Sequence, residues 1–128
     1  MRHLGIDFGT KRIGVALSDV AGSMAFPHSV VPNDSQALKT IAKIVSENGV
    51  AVLVMGESID FKGQPNAVMP AITKFAEALK TATGVPLFFE QETMTTRAAA
   101  QIQGEHATID ASAAALILNS YLEKRRVA

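Results

Sequence analysis

Five acidic residues, Asp7, Glu57, Glu90, Glu92 and Asp110, are spaced so that ordinary secondary structure can bring them to one place. Asp7 lies within Leu4-Gly5-Ile6-Asp7-Phe8-Gly9, where apolar residues alternate with Gly and Asp. That period of two predicts a strand with Asp7 opposite its apolar side. A carboxylate there is costly unless a cation meets it. Glu57 follows the apolar run Val50 to Met55, Glu90 and Glu92 end a stretch with strand character, and Asp110 precedes Ala111-Ser112-Ala113. Carboxylates converge only when cations offset their repulsion, and an all-oxygen donor set suits Mg2+ or Mn2+. Such ions can assist phosphodiester hydrolysis by activating water and stabilising the leaving oxygen.

Each acid also has an ordinary reading. Asp110 fits a helix N-cap, Glu90 and Glu92 a solvated strand end, and Glu57 a polar loop. Asp7 is the hardest to explain structurally, because a mid-strand acid between glycines has no evident packing purpose. Lys11 and Arg12 follow it on a glycine-started turn, and Lys124, Arg125 and Arg126 form the other tight basic group. The latter trio suits a helix C-terminus, where cations complement the dipole.

The elements that must position these residues follow from periodicity. Leu4 to Phe8 and Ile13 to Leu17 form a hairpin, Asp19 to Ser23 a turn, and Ser29-Val30-Val31 a short third strand between Pro27 and Pro32. Asn33, Asp34 and Ser35 offer caps for a helix carrying Leu38, Ile41, Ala42 and Val45 on one face, closed by Asn48-Gly49. Val50 to Met55 reads as a strand buried on both sides, followed by a loop from Gly56 to Pro65. Val68, Ile72, Phe75, Ala76 and Leu79 mark a second helix, with Asn66 as cap and Gly84 as stop. In a fifth strand, Val85 to Glu92, Phe88, Glu90 and Glu92 share one face. A short Ala-rich helix from Thr95 or Thr96 to Gln103 and a loop from Gly104 to Ile109 come next. The final helix starts near Asp110 and carries Ala114, Ile117, Leu118, Tyr121 and Leu122 as its apolar stripe.

This order predicts an α/β fold in a single domain over residues 1–128: a five-stranded mixed sheet, a three-strand antiparallel meander plus two parallel strands, flanked by helices. The carboxyl ends of parallel strands are where open α/β sheets bind ligands, and the acids fall there.

Composition sets bounds on the rest. A chain of 128 residues with 48% hydrophobic and 19% charged residues is globular rather than disordered. No run approaches the ~18 apolar residues of a membrane span. There is no Cys, which excludes disulfide and thiolate chemistry. The chain opens directly into strand pattern with no leader-like segment, so a cytoplasmic location without membrane attachment is expected. Zero net charge means that any nucleic-acid surface must be local. Only 5% of residues are aromatic, which favours recognition of shape and backbone over base stacking.

Gly5-Ile6-Asp7-Phe8-Gly9-Thr10-Lys11-Arg12-Ile13-Gly14-Val15-Ala16-Leu17-Ser18-Asp19 resembles the opening motif of the YqgF/RuvX family almost residue for residue. Asp110-Ala111-Ser112-Ala113-Ala114 to Tyr121-Leu122 resembles its closing motif, and the likeness covers essentially the whole chain. These ribonuclease H-like proteins are described as Holliday-junction resolvases and pre-16S ribosomal RNA nucleases. The resemblance implies an endonuclease with Asp7, Glu92 and Asp110 as catalytic acids binding Mg2+ or Mn2+, acting on precursor rRNA or branched DNA. Ribosomes or their precursors are implied as further partners, and a monomer and a homodimer both fit. Related resolvases carry an acid after the fourth strand, which makes Glu57 a further catalytic candidate. Lys11, Arg12 and Arg97 suit backbone phosphates.

The middle motif departs from the family. Where Asp-Glu-Arg-Leu-Thr-Thr is usual, this chain has Gln91-Glu92-Thr93-Met94-Thr95-Thr96, and Gly56-Glu57-Ser58 replaces Gly-Leu-Pro. The lost Asp and Arg leave Glu90 and Glu57 as candidates to compensate. They also sustain an alternative, a non-catalytic nucleic-acid-binding or ribosome-assembly factor with a degraded metal site. An ATP-binding protein of the actin, Hsp70 and sugar-kinase group shares the Asp-x-Gly-Thr turn, but 128 residues leave room for only one of its two domains.

Overall fold

The computed structural model describes residues 1–58, 69–92 and 106–127; side chains of Ser58, Glu92, residues 106–110, Arg126 and Val127 fall outside the description. The elements are β1 (Arg2–Phe8), β2 (Arg12–Ser18), β3 (Ala25–Pro32), α1 (Ala37–Glu47), β4 (Val50–Ser58), α2 (Met69–Thr83), β5 (Leu87–Glu92) and α3 (His106–Val127). The strands form one mixed sheet in the order β3-β2-β1-β4-β5. β1 pairs antiparallel with β2, and β2 with β3, while β1–β4 and β4–β5 are parallel. This is the predicted meander plus two parallel strands.

Several boundaries differ from the periodicity reading. β3 runs from Ala25 through both prolines, because it is an edge strand where a missing N–H costs no ladder bond. A register shift opposite Val15 and Ala16 absorbs one extra residue near Pro27. β4 continues past Met55 to Ser58, so Glu57 is a strand residue rather than a loop residue. β5 begins two residues later than expected, at Leu87. α3 starts at His106, so position 110 lies inside the helix and not at its N-cap. The expected Ala-rich helix up to Gln103, the Asn66 cap and most of the loop from Gly56 to Pro65 lie outside the described residues.

The helices end where the sequence says they should. Asn48 donates from its backbone and side chain to the Ile44 carbonyl, and Gly49 takes φ +60°. Gly84, at φ +68°, closes α2. Glycine takes this left-handed conformation without the Cβ penalty. At the start of α1, Asp34 accepts from the Gln36 N–H at 2.9 Å.

The two faces of the sheet are packed differently. Leu4, Ile6, Ile13, Val15, Leu53 and Met55 meet Ile41 and Val45 of α1 and Ile72 and Leu79 of α2. On the other side Ala16, Ala25, Val52 and Val54 meet Ala114, Ala115, Ile117 and Leu118 of α3. A Cβ on Gly5 would lie 2.8 Å from the Leu118 Cβ and 2.9 Å from the Ala114 carbonyl oxygen. Gly5 therefore lets α3 lie almost against the backbone of β1. Among the described residues, no helix is long and apolar enough to cross a membrane.

Candidate active site

Asp7 is the penultimate residue of β1 and only 2% exposed. Its neighbour across β2 is Gly14, and on β4 the partner of Ile6 is Met55, so Gly56 stands next along. The positions level with Asp7 on the two adjacent strands are thus glycines. The other glycines of the opening motif have separate causes: Gly5 admits α3, and a Cβ on Gly9 would lie 2.5 Å from the Arg12 carbonyl oxygen.

The direction of α3 fixes what comes near Asp7. Gly5 lies against Ala114 and Leu118, whereas His3, two residues earlier in β1, faces Tyr121 at 5.9 Å between ring centroids. The helix thus runs antiparallel to β1. Two strand residues at ~3.3 Å each match about four helical residues at ~1.5 Å each, so the step from Gly5 to Asp7 corresponds to the step from Ala114 back to position 110. The backbone at Asp110 is therefore carried toward the end of β1 that bears Asp7. On β5, position 92 pairs with Ser58 at the end of β4, and Phe88 and Glu90 face α3.

Two other candidates are placed elsewhere. Glu57 alternates with Leu53 and Met55, which pack under α1 and α2, so period-2 geometry puts it on the face opposite Asp7. It does not share the α3 side with Asp7. Glu90 is buried, and its Oε2 accepts from Lys124 Nζ at 2.6 Å and Ser120 Oγ at 2.9 Å. It is an ion-pair partner of α3, and that engagement opposes a compensating role at a metal. Lys124, read as a helix-end cation, is the other half of that pair. Arg97 lies outside the described residues.

The turn after Asp7 carries Lys11 and Arg12, both exposed. The Gly9 N–H donates to the Arg12 carbonyl at 2.9 Å, closing the turn. Asn33, expected as a helix cap, instead reaches this turn: its Nδ2 donates to the Gly9 carbonyl at 2.7 Å and its backbone N–H to the Lys11 carbonyl at 2.9 Å. Asn119 was also missed, and it clamps α3 to the edge strand by accepting from the Ala25 N–H at 2.8 Å and donating to its carbonyl. Both contacts span the fold, and nothing local in the sequence signals them.

A divalent ion can be tested against this geometry. Among the described residues no group of three metal-ligating side chains gathers, but the side chains of Glu92 and Asp110 lie outside that description. What is described fits: a buried carboxylate, side-chain-free positions on both neighbouring strands, and oxygen-donor types at positions 92 and 110. Hard divalent ions prefer such donors.

A profile of the RuvX family, described as Holliday junction resolvase, matches residues 1–124. The chain belongs to the RuvX family. A relative from Chloroflexus aggregans, provisionally named a pre-16S rRNA nuclease, is 35% identical, the match covering 96% of this chain and 94% of the relative. A Syntrophus aciditrophicus relative with the same name is also 35% identical, over 96% of this chain and 89% of its own. RuvX proteins, as these names state, are nucleases, hydrolases of the phosphodiester bond. T. thermophilus RuvC in complex with a Holliday junction substrate has a TM-score of 0.63 at 17% identity, covering 98% of this chain and 96% of RuvC. The fowlpox virus Holliday junction resolvase gives 0.60 at 15% identity, covering 97% and 99%. These structures share the fold, and the RuvX chain is ribonuclease H-like.

Proposed function

We propose that this RuvX chain is a single-domain, divalent-metal-dependent endonuclease that hydrolyses phosphodiester bonds in precursor 16S rRNA. Asp7, Glu92 and Asp110 would hold Mg2+ or Mn2+. The observation that carries this reading is the burial of Asp7 at the carboxyl end of the central strand, between glycine positions and beneath a helix running back over it. When bound, such an ion polarises a phosphoryl oxygen and stabilises the departing one. The chain's own residues supply the rest. The three acids orient the ion, Lys11 and Arg12 hold flanking backbone phosphates beside it, and Arg97 adds a further phosphate contact. Relatives named for precursor 16S rRNA match along nearly their whole length, which favours RNA over branched DNA.

The test is cleavage of a precursor 16S rRNA fragment and of a four-way DNA junction, each with Mg2+ or Mn2+. Wild type should cut the RNA, and Asp7→Asn should lose at least about 100-fold, since it removes a direct metal ligand rather than an outer partner. Equal activity in the variant rejects the site, and preferential cutting of the junction reassigns the substrate.

A second reading, a non-catalytic nucleic-acid-binding or ribosome-assembly factor, is favoured by one observation. Glu90, the acid nearest the altered motif, is already engaged by Lys124 and Ser120. Intact RNA binding with no metal binding in a millimolar titration would select it.

A further inference from the structure

We propose that Asn33 is a positioning residue for nucleic-acid phosphate, acting through the turn that carries Lys11 and Arg12. The inference rests on the nuclease reading above and extends it to a residue outside the family's opening motif. Asn33 immediately follows β3, on the far side of β2 from Asp7. Yet it makes two bonds to the β1–β2 turn, Nδ2 to the Gly9 carbonyl at 2.7 Å and its own N–H to the Lys11 carbonyl at 2.9 Å. The third turn carbonyl, of Arg12, accepts from the Gly9 N–H. The carbonyls of Gly9, Lys11 and Arg12 are thus all engaged inside the protein. A turn tied down in this way fixes the backbone from which its two cations project.

The benefit is preorganisation. Long basic side chains on a loose turn must be ordered when a phosphate binds, and that cost weakens association; a backbone already fixed removes part of it. Asn suits the task because its amide donates to one carbonyl while its backbone N–H reaches another, and it adds no charge beside the phosphate path. Its side chain is partly buried, shielding the Gly9 bond from competing water. Asp in its place would set a carboxylate against the Gly9 carbonyl.

The experiment measures binding of a labelled precursor rRNA fragment in EDTA, and cleavage kinetics with Mg2+, for wild type, Asn33→Ala, Lys11→Ala/Arg12→Ala and the triple variant. Asn33→Ala should raise Kd and KM about 5-fold, with the loss falling on KM rather than kcat. Lys11→Ala/Arg12→Ala should raise Kd about 30-fold or more, because two phosphate contacts disappear. Adding Asn33→Ala to that pair should change Kd no further, since the residue acts only through the two cations. A Kd unchanged by Asn33→Ala, or losses that multiply in the triple variant, overturns the proposal. Should Asn33→Ala not fold, Asn33→Ser, which keeps the backbone bond, carries the same comparison. If neither folds, the residue is purely structural and the proposal fails. A Kd unaffected by Lys11→Ala/Arg12→Ala would instead sink the nucleic-acid reading of the turn itself.

Discussion

The two faces of the central sheet perform different tasks with different residues. Under α1 and α2 the contacts are between large aliphatic side chains, Leu4, Ile6, Ile41, Leu53, Ile72 and Leu79. Under α3 the strands contribute Gly5, Ala16 and Ala25, and the four polar residues described as buried, His3, Asp7, Ser18 and Glu90, all belong to this side. Large interlocking side chains give cohesion but hold the layers apart. Small ones bring backbone to backbone, and that close approach carries the start of α3 toward the end of β1 that bears Asp7. One face is therefore built for stability, and the other gives some of it up to place charge.

Breaking this comparison has a largest expected effect at Asp7. If Asp7 holds the metal as proposed, Asp7→Asn should remove cleavage while leaving the protein folded by circular dichroism, because Asn keeps the size of the side chain. Next come paired substitutions on opposite faces. Ile41→Ala, on the cohesive face, should cost about 2–5 kcal/mol in urea unfolding while specific activity per folded molecule holds. Gly5→Val, on the α3 face, should cost about 1–3 kcal/mol as the added methyls push against Leu118 and Ala114, and here activity should collapse as well. Loss of activity in the first or retention in the second would erase the distinction between the faces.

A smaller effect is expected at the ion pair. Lys124→Ala leaves the buried Glu90 with Ser120 alone, and the cost should be about 1 kcal/mol because the ammonium side is 65% exposed. Glu90→Gln added to it should recover part of that loss, and failure to do so would mean the pair contributes nothing to docking α3.

The smallest effect is a pH dependence. Burial, and secondarily the positive charge of Arg125, lower the pKa of His3 below its ordinary 6.5, while its hydrogen bond to the Met1 carbonyl partly opposes this. The Met1 carbonyl can only accept, so Nδ1 carries the proton and buried Nε2 has no hydrogen-bond partner among the described residues. Between the lowered value and 6.5 the unfolded chain binds more protons than the folded one. Stability is thus full above pH 6.5 and declines as pH falls through that window. Urea melts at pH 7.5 and 5.5 should show this decline in wild type and its absence in His3→Gln. The Asp19 pKa is lowered too: the Ser23 hydroxyl and backbone bonds hold it at about 2, so its contribution is lost in the same direction but only in strongly acidic solution.

Much of the fold was legible because its signals are local. The alternation around Asp7, the Leu38-Ile41-Val45 spacing, the Val50 to Met55 run and the two glycine stops each depend on neighbours within one or two turns of chain. The β3 boundary is not legible locally, because Pro27 and Pro32 read as strand breakers, whereas whether proline is tolerated depends on the strand being an edge. The face of Glu57 is not legible for a similar reason, because it follows from how far β4 continues past Met55.

What the sequence alone determined is which residue types stand at which periodic positions, and hence the family, the meander with two further parallel strands, and the candidate acids Asp7, Glu92 and Asp110. Only the tertiary structure decided that α3 runs antiparallel to β1 at the closeness Gly5 permits, that Glu90 is spent on Lys124, and that Asn33 holds the Lys11–Arg12 turn. Those are contacts between residues far apart in the chain. Their partners are set by the packing of layers, which leaves no periodic mark in either segment.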